Sequence, residues 1–397
     1  MIDPVTRRFS RVHTLAPEAA YLSELARAWA SGAGGPVPSP SSLNPERFLR
    51  VFARQHAVQT LEPYLDPRLM DMADRIRLRQ GVEVSRRRTV MMLLELERVL
   101  PALTELGCRP VVLKGASLAL TVYPRPEDRW FVDLDLLVEP AQLPLVYDTL
   151  HRLGYRFAET AAAAELYEQY HFHRILVSGQ GVCLEAHWAL TLPSSVYSHD
   201  LEALRRSAVE IPLGNASFLA PGTVDQILHG VLQSIADGFN DLRRMLDLHL
   251  LDARLLDEER EVLCARARQA NLSTGLWLQY HLRERILGAP SPGFLDYYCR
   301  PDPNLARTVD QLGVAEACLL QRAADDRGYA NLLHWLCVPK HLRPREVRRY
   351  IFPGMEGLVN SGLCRHGPLP AWRRGRLALS RSLVAGRMLT EWARAAV

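Results

Sequence analysis

The sequence predicts an α+β fold, a small mixed β-sheet core flanked by N-terminal and C-terminal helical regions. Three observations predict it. Apolar residues recur at helical spacing before about residue 107 and again after about residue 221. Between them lie short apolar runs of strand length, separated by Gly and Pro. The chain has 397 residues, 48% hydrophobic and 23% charged, enough for two or three domains with packed cores.

Taken in order, residues 1–45 are weakly patterned and rich in breakers, as in Ser31-Gly32-Ala33-Gly34-Gly35-Pro36, which predicts a flexible N-terminal segment. A helical region is expected over 46–107. Asn44-Pro45 reads as an N-cap followed by Pro at the first helical position. Residues 67–106 read as helix, with Gly81 and Pro101 as places where it kinks or divides. Met70, Ile76, Val84, Val90 and Leu94 are among its apolar positions.

The core is expected over 108–220. Val111-Val112-Leu113 is a buried strand ended by Lys114-Gly115, and a short helix follows to about Tyr123. Residues 131–138 form a second strand, with Val132, Leu134 and Leu136 on one face and Asp133 and Asp135 on the other. A helix to about residue 153, a short strand near 155–158 and a hairpin turning at Ser178-Gly179-Gln180-Gly181 come next. On its return strand, Cys183, Glu185 and His187 share a face. A C-terminal helical domain is expected over 221–397, ending in an Arg-rich helix from about residue 368 whose arginines read as a solvated face.

The bulk numbers exclude some classes. A net charge of +4, with no basic stretch interleaved with aromatics, makes nucleic acid an unlikely partner. The seven cysteines are scattered, without Cys-x-x-Cys or Cys/His zinc spacing, as expected for free thiols in a reducing compartment. There is no signal-peptide core and no apolar run near the roughly 20 residues that span a bilayer, so a cytoplasmic location without membrane contact is expected.

The chemistry concentrates on the second strand. Two carboxylates side by side among apolar neighbours are costly unless a positive charge sits between them. A divalent cation such as Mg²⁺, which takes carboxylate oxygens, meets that need. An exposed edge strand would also carry two acids at no cost.

A Gly at a strand-to-helix turn, an Asp-x-Asp strand and a later acidic strand resemble the polymerase-β-like nucleotidyltransferases. The chain is more specifically similar to an uncharacterised bacterial nucleotidyltransferase family. The resemblance rests on Leu113-Lys114-Gly115, Tyr123-Pro124, Arg129, Asp133-Leu134-Asp135-Leu136-Leu137-Val138 and Leu184-Glu185-Ala186-His187-Trp188, with His229 and Leu242-Arg243-Arg244-Met245-Leu246-Asp247 downstream. It extends from about Phe48 to Phe352-Pro353. Gly115-Ala116 stands where the wider superfamily has Gly-Ser or Gly-Gly, with Ser117 one place later.

The resemblance implies transfer of a nucleoside monophosphate from an NTP, assisted by Mg²⁺ or Mn²⁺. Asp133, Asp135 and Glu185 would be the catalytic metal ligands. Lys114, Gly115, Ser117, Arg129 and His187 would contact the triphosphate or orient the site. The acceptor, whether small molecule, peptide or protein, stays open. Relatives near genes for modified peptides, lasso peptides among them, give peptide tailoring some weight. His229, Arg243 and Asp247 would line an acceptor pocket, although at helical spacing they also read as interhelix polar pairs. His171 and His173 are weaker candidates still. Two alternatives remain: transfer of another phosphate-linked group, such as a sugar phosphate, and a non-catalytic nucleotide-binding partner protein.

Overall fold

The computed structural model describes residues 16–299, 303–321, 327–352 and 355–360. Helices surround one seven-stranded mixed sheet, so the expected α+β class holds. The strands are β1 (Val111–Val112), β2 (Asp133–Leu137), β3 (Arg156–Phe157), β4 (His173–Val177), β5 (Cys183–His187), β6 (Val209–Leu213) and β7 (Ala216–Ala220), in the spatial order β3-β4-β5-β2-β1-β7-β6.

The register positions the site. β2 lies antiparallel to β1, with Val112 opposite Leu136, and parallel to β5, with Asp135 opposite Glu185. β4 pairs antiparallel with β5, placing His173 opposite His187. The turn between them closes through the Ser178 N–H donating to the Val182 carbonyl at 2.9 Å. Side chains alternate across each strand. Leu134, Leu136, Leu184 and Ala186 are therefore buried in one core with Met92, Leu96 and Leu100 of the long helix Met72–Thr104, while the polar set projects from the opposite face.

That helix runs 33 residues unbroken through Gly81 and Pro101, without the expected division. Its Asp71 cap accepts the Asp74 N–H, and burial of Val82, Met92, Leu96, Val99, Leu100 and Leu103 offsets the roughly 1 kcal/mol that an interior Gly costs. Ile76, Val84, Val90 and Leu94, expected on its apolar face, are exposed.

The N-terminal segment also differs from expectation. Pro17–Ala30 is a helix, and Ala19, Tyr21, Leu22, Leu25 and Ala26 have no exposed surface. They join the larger core built by the helices Thr223–Ala236, Leu242–Asp252 and Ser273–Leu287. The Ser23 hydroxyl, 2.6 Å from the Ile286 carbonyl, ties this helix to the last of these. Asn44 caps the helix Pro45–Ala53 as its sequence indicates, its side chain accepting the Arg47 N–H. The Arg-rich terminal helix expected from about residue 368 lies outside the described residues. Among the described residues, no helix is long and apolar enough to cross a membrane, and six cysteines are free thiols.

One close approach holds the sheet against the turn after β1. A Cβ placed on Gly115 would sit 2.4 Å from the Phe131 Cβ, at the entry to β2. Gly115→Ala is expected to lower stability by about 1–3 kcal/mol, the range for overpacking a filled core. Urea unfolding checks this, and unchanged stability would show that Phe131 yields without cost.

Candidate active site

Asp133 and Asp135 leave the same face of β2, and Glu185 stands beside Asp135 on β5. One carboxylate oxygen from each lies within 4.8 Å of the others. Asp135 is buried, Glu185 and Asp133 partly so. Two cations from the protein neutralise the cluster. Lys114 Nζ donates to Asp135 Oδ1 at 2.6 Å and lies 3.7 Å from Glu185 Oε2. His187 Nε2 lies between Asp135 Oδ1 at 2.9 Å and Glu185 Oε2 at 3.1 Å. Asp135 Oδ2 is buried and has no hydrogen-bond partner.

The electrostatics follow from that packing. Burial, reinforced by the Asp135 charge, pushes the Asp133 carboxyl up to about 6. Burial also acts against the charges on Asp135 and Glu185, but it is outweighed. The Lys114 ammonium and the His187 contact hold Asp135 below its ordinary value, and the His187 hydrogen bond with Lys114 brings Glu185 down to about 2. Burial and the Lys114 charge work against protonation of His187, yet the two carboxylates hold it above its ordinary value. A proton on His187 and the Lys114 ammonium thus supply the positive charge that three clustered acids require. An orphaned buried carboxylate oxygen with two further carboxylates in reach is a donor set that fits a hard divalent cation.

Asp133 carries a testable sign. Folded and metal-free, it keeps its proton to about pH 6, whereas the unfolded chain releases it near 4. The folded state therefore binds more protons in that window, and stability from this group falls as pH rises through it. Asp133→Asn is expected to stabilise the metal-free protein at pH 7–8 by about 1–2 kcal/mol, allowing for partial exposure, and to flatten the pH dependence between 4 and 6. Urea unfolding in chelator at pH 5 and pH 8 checks both. A variant less stable than the parent at pH 8 would contradict the reading.

The other expected residues divide. Lys114 begins the helix Lys114–Thr121 with a φ of 46°, the left-handed region usually left to Gly. The strain of the turn thus falls on Lys114. Gly115 is required at this place by its contact with Phe131. Ser117 has no exposed surface, so this conformation does not present its hydroxyl to a triphosphate. Arg129 is buried and committed to Asp247 by two bonds, Nε to Oδ1 at 3.1 Å and Nη2 to Oδ2 at 2.8 Å. Its guanidinium is thus held as a buried pair in the wall of the cleft that Lys114 also lines.

Of the downstream residues, Asp247 also accepts from the Tyr123 hydroxyl at 2.8 Å. Arg243 bridges Asp241 at 2.7 Å and the Trp130 carbonyl at 2.6 Å. Both serve as contacts between elements. His229 and Asp247, with Lys114, Arg129, Gln233 and Gln279, line a cleft in the helical region, and Lys114 is the residue it shares with the carboxylate cluster. His173, weakly ranked from its sequence, stands with Nε2 3.7 Å from Glu185 Oε2. Its signal was positional: it sits two residues after His171 on the strand facing Glu185-Ala186-His187. The Asp241–His56–Trp130 group beside the site had no sequence signal. His56 stacks on Trp130 with ring centroids 4.3 Å apart and contacts Asp241 at 3.2 Å.

A mixed sheet carrying Asp-x-Asp on one strand and Glu on the parallel neighbour, behind a Lys-Gly turn, has the make-up of a nucleotidyltransferase site. Comparison with protein families matches residues 41–288, more than half of the chain, to the family described as uncharacterised nucleotidyltransferase. The chain belongs to that family. No curated protein matches it.

Proposed function

We propose that the protein transfers a nucleoside monophosphate from an NTP to a hydroxyl, phosphate or similar group of a small molecule, peptide or protein, with pyrophosphate leaving. The convergence of Asp133, Asp135 and Glu185 on one sheet face supports this most directly. Those three residues would hold Mg²⁺ or Mn²⁺. The bound ions would supply positive charge at the attacking and leaving oxygens. Glu185, ionised at neutral pH, would complete the site for the ion at the attacking oxygen. His187 holds Asp135 and Glu185 in fixed orientation through Nε2. Lys114, at the boundary between cluster and cleft, would face the charge of the triphosphate. His229, Gln233 and Gln279 give the cleft polar groups with which to orient an acceptor. Peptide tailoring remains one acceptor class for such a cleft, and neither nucleic acid nor a membrane is required.

Donor competition tests the reading. Melting temperature is measured with each NTP and with nucleotide sugars, in Mg²⁺ and in chelator. An NTP is expected to raise it only when Mg²⁺ is present. A larger rise with a nucleotide sugar would favour sugar-phosphate transfer. A Mg²⁺-independent rise, or none, would favour a non-catalytic partner.

A further inference from the structure

We propose that His173, Glu185 and His187 form a second metal site, one that takes a first-row transition ion such as Mn²⁺, Co²⁺ or Zn²⁺. Glu185 is shared between it and the carboxylate cluster. The β4–β5 register sets His173 directly across from His187, and Glu185 lies two residues before His187 on the same face. The imidazole centroids are 4.7 Å apart. Both Nε2 atoms approach the same oxygen, Glu185 Oε2, at 3.7 Å from His173 and 3.1 Å from His187. One donor atom from each residue lies within 4.8 Å of the others. An ion bound at about 2.0–2.2 Å by such donors needs them only roughly 3–4 Å apart, a closure that small side-chain rotations provide.

The donor set separates this site from the neighbouring one. Imidazole nitrogen suits transition ions, whereas Mg²⁺ prefers oxygen alone. The Nδ1 atoms of His173 and His187 are buried without hydrogen-bond partners. In the metal-free protein the Asp135 and Glu185 carboxylates hold a proton on His187 Nε2, so an ion takes that nitrogen by replacing this proton while Nδ1 carries the remaining N–H. Binding would displace the proton that His187 shares with Asp135 and Glu185. Glu185 would then bridge two ions, one held by aspartates and one by histidines. Ion capture at this site does not require nucleotidyl transfer, so the two readings fail separately.

The test uses the full chain, stripped of metal and loaded with Mn²⁺ without nucleotide. Pulsed electron paramagnetic resonance is expected to show imidazole nitrogen coupled to the ion. In a parallel titration followed by visible absorption, His173→Gln is expected to weaken Co²⁺ binding by about 10-fold or more, while calorimetric Mg²⁺ binding stays unchanged. Absence of nitrogen coupling in the parent protein overturns the proposal, as does a Co²⁺ titration unaffected by His173→Gln. Should that variant not fold, the coupling in the parent decides alone. Loss of NTP turnover with nitrogen coupling intact would count against the transferase reading only.

Discussion

Asp135→Asn is expected to reduce metal-dependent nucleotidyl transfer by roughly 10²–10³-fold or more, the scale of losing a principal electrostatic contributor to a transition state. Asp135 stands at the centre of the site. Its Oδ2 is the buried oxygen without a partner, and its Oδ1 receives both Lys114 and His187. The amide keeps the shape but removes the charge. It leaves the Lys114 ammonium and a protonated His187 with Glu185 as their remaining close carboxylate. The metal-free variant should therefore melt lower than the parent. Glu185→Gln, at a more exposed position, supplies a second variant in which lost transfer need not accompany lost stability. Transfer rates within about 10-fold of the parent in both variants would remove these carboxylates from the chemistry.

The largest expected loss of stability lies away from the carboxylates. Asp247→Ala is expected to cost about 3–5 kcal/mol, because it strands the buried Arg129 guanidinium and removes the acceptor of the Tyr123 hydroxyl. This network joins three segments: the end of the Lys114–Thr121 helix, the entry to β2 and the helix Leu242–Asp252. Its loss should loosen the cleft wall as well as the fold. Urea unfolding of Asp247→Ala, and of the double variant Asp247→Leu with Arg129→Met, separates the two contributions. The double variant should recover much of the loss, since replacing both members of a buried pair by apolar groups removes the uncompensated charge. A single variant within about 1 kcal/mol of the parent would contradict the assignment.

Much of this could be read from residues in sequence. Asp133 and Asp135 on one strand face, the Ser178–Gly181 turn and the face shared by Glu185 and His187 follow from the two-residue period of a strand. The structure places all of them in one register. The β6–β7 hairpin was not anticipated, although Leu213-Gly214-Asn215-Ala216 offers a Gly-Asn turn between strand-like runs, with Gly214 at a φ of 55°. Pro212 is tolerated within β6 because β6 is an edge strand.

What periodicity could not convey was partnership. Arg129 carries the same charge whether it meets a phosphate or Asp247, 118 positions away, and only the packing of helix on sheet decides between them. The same holds for the Pro17–Ala30 helix. Its Ala-rich pattern is weak in isolation, and its burial depends on the helix Ser273–Leu287 far along the chain. His173 was undervalued for a related reason: its partner Glu185 lies across a strand pair.

The most direct test of the three-carboxylate site as a nucleotidyltransferase centre is a position-specific label. The protein is incubated with Mg²⁺, candidate acceptors and each NTP labelled in turn at the α- and the γ-phosphorus. Nucleotidyl transfer predicts that α-label appears on the acceptor while γ-label leaves as pyrophosphate, with both signals lost in Asp135→Asn. Transfer of γ-label to the acceptor, or α-label transfer that persists in chelator, would contradict it.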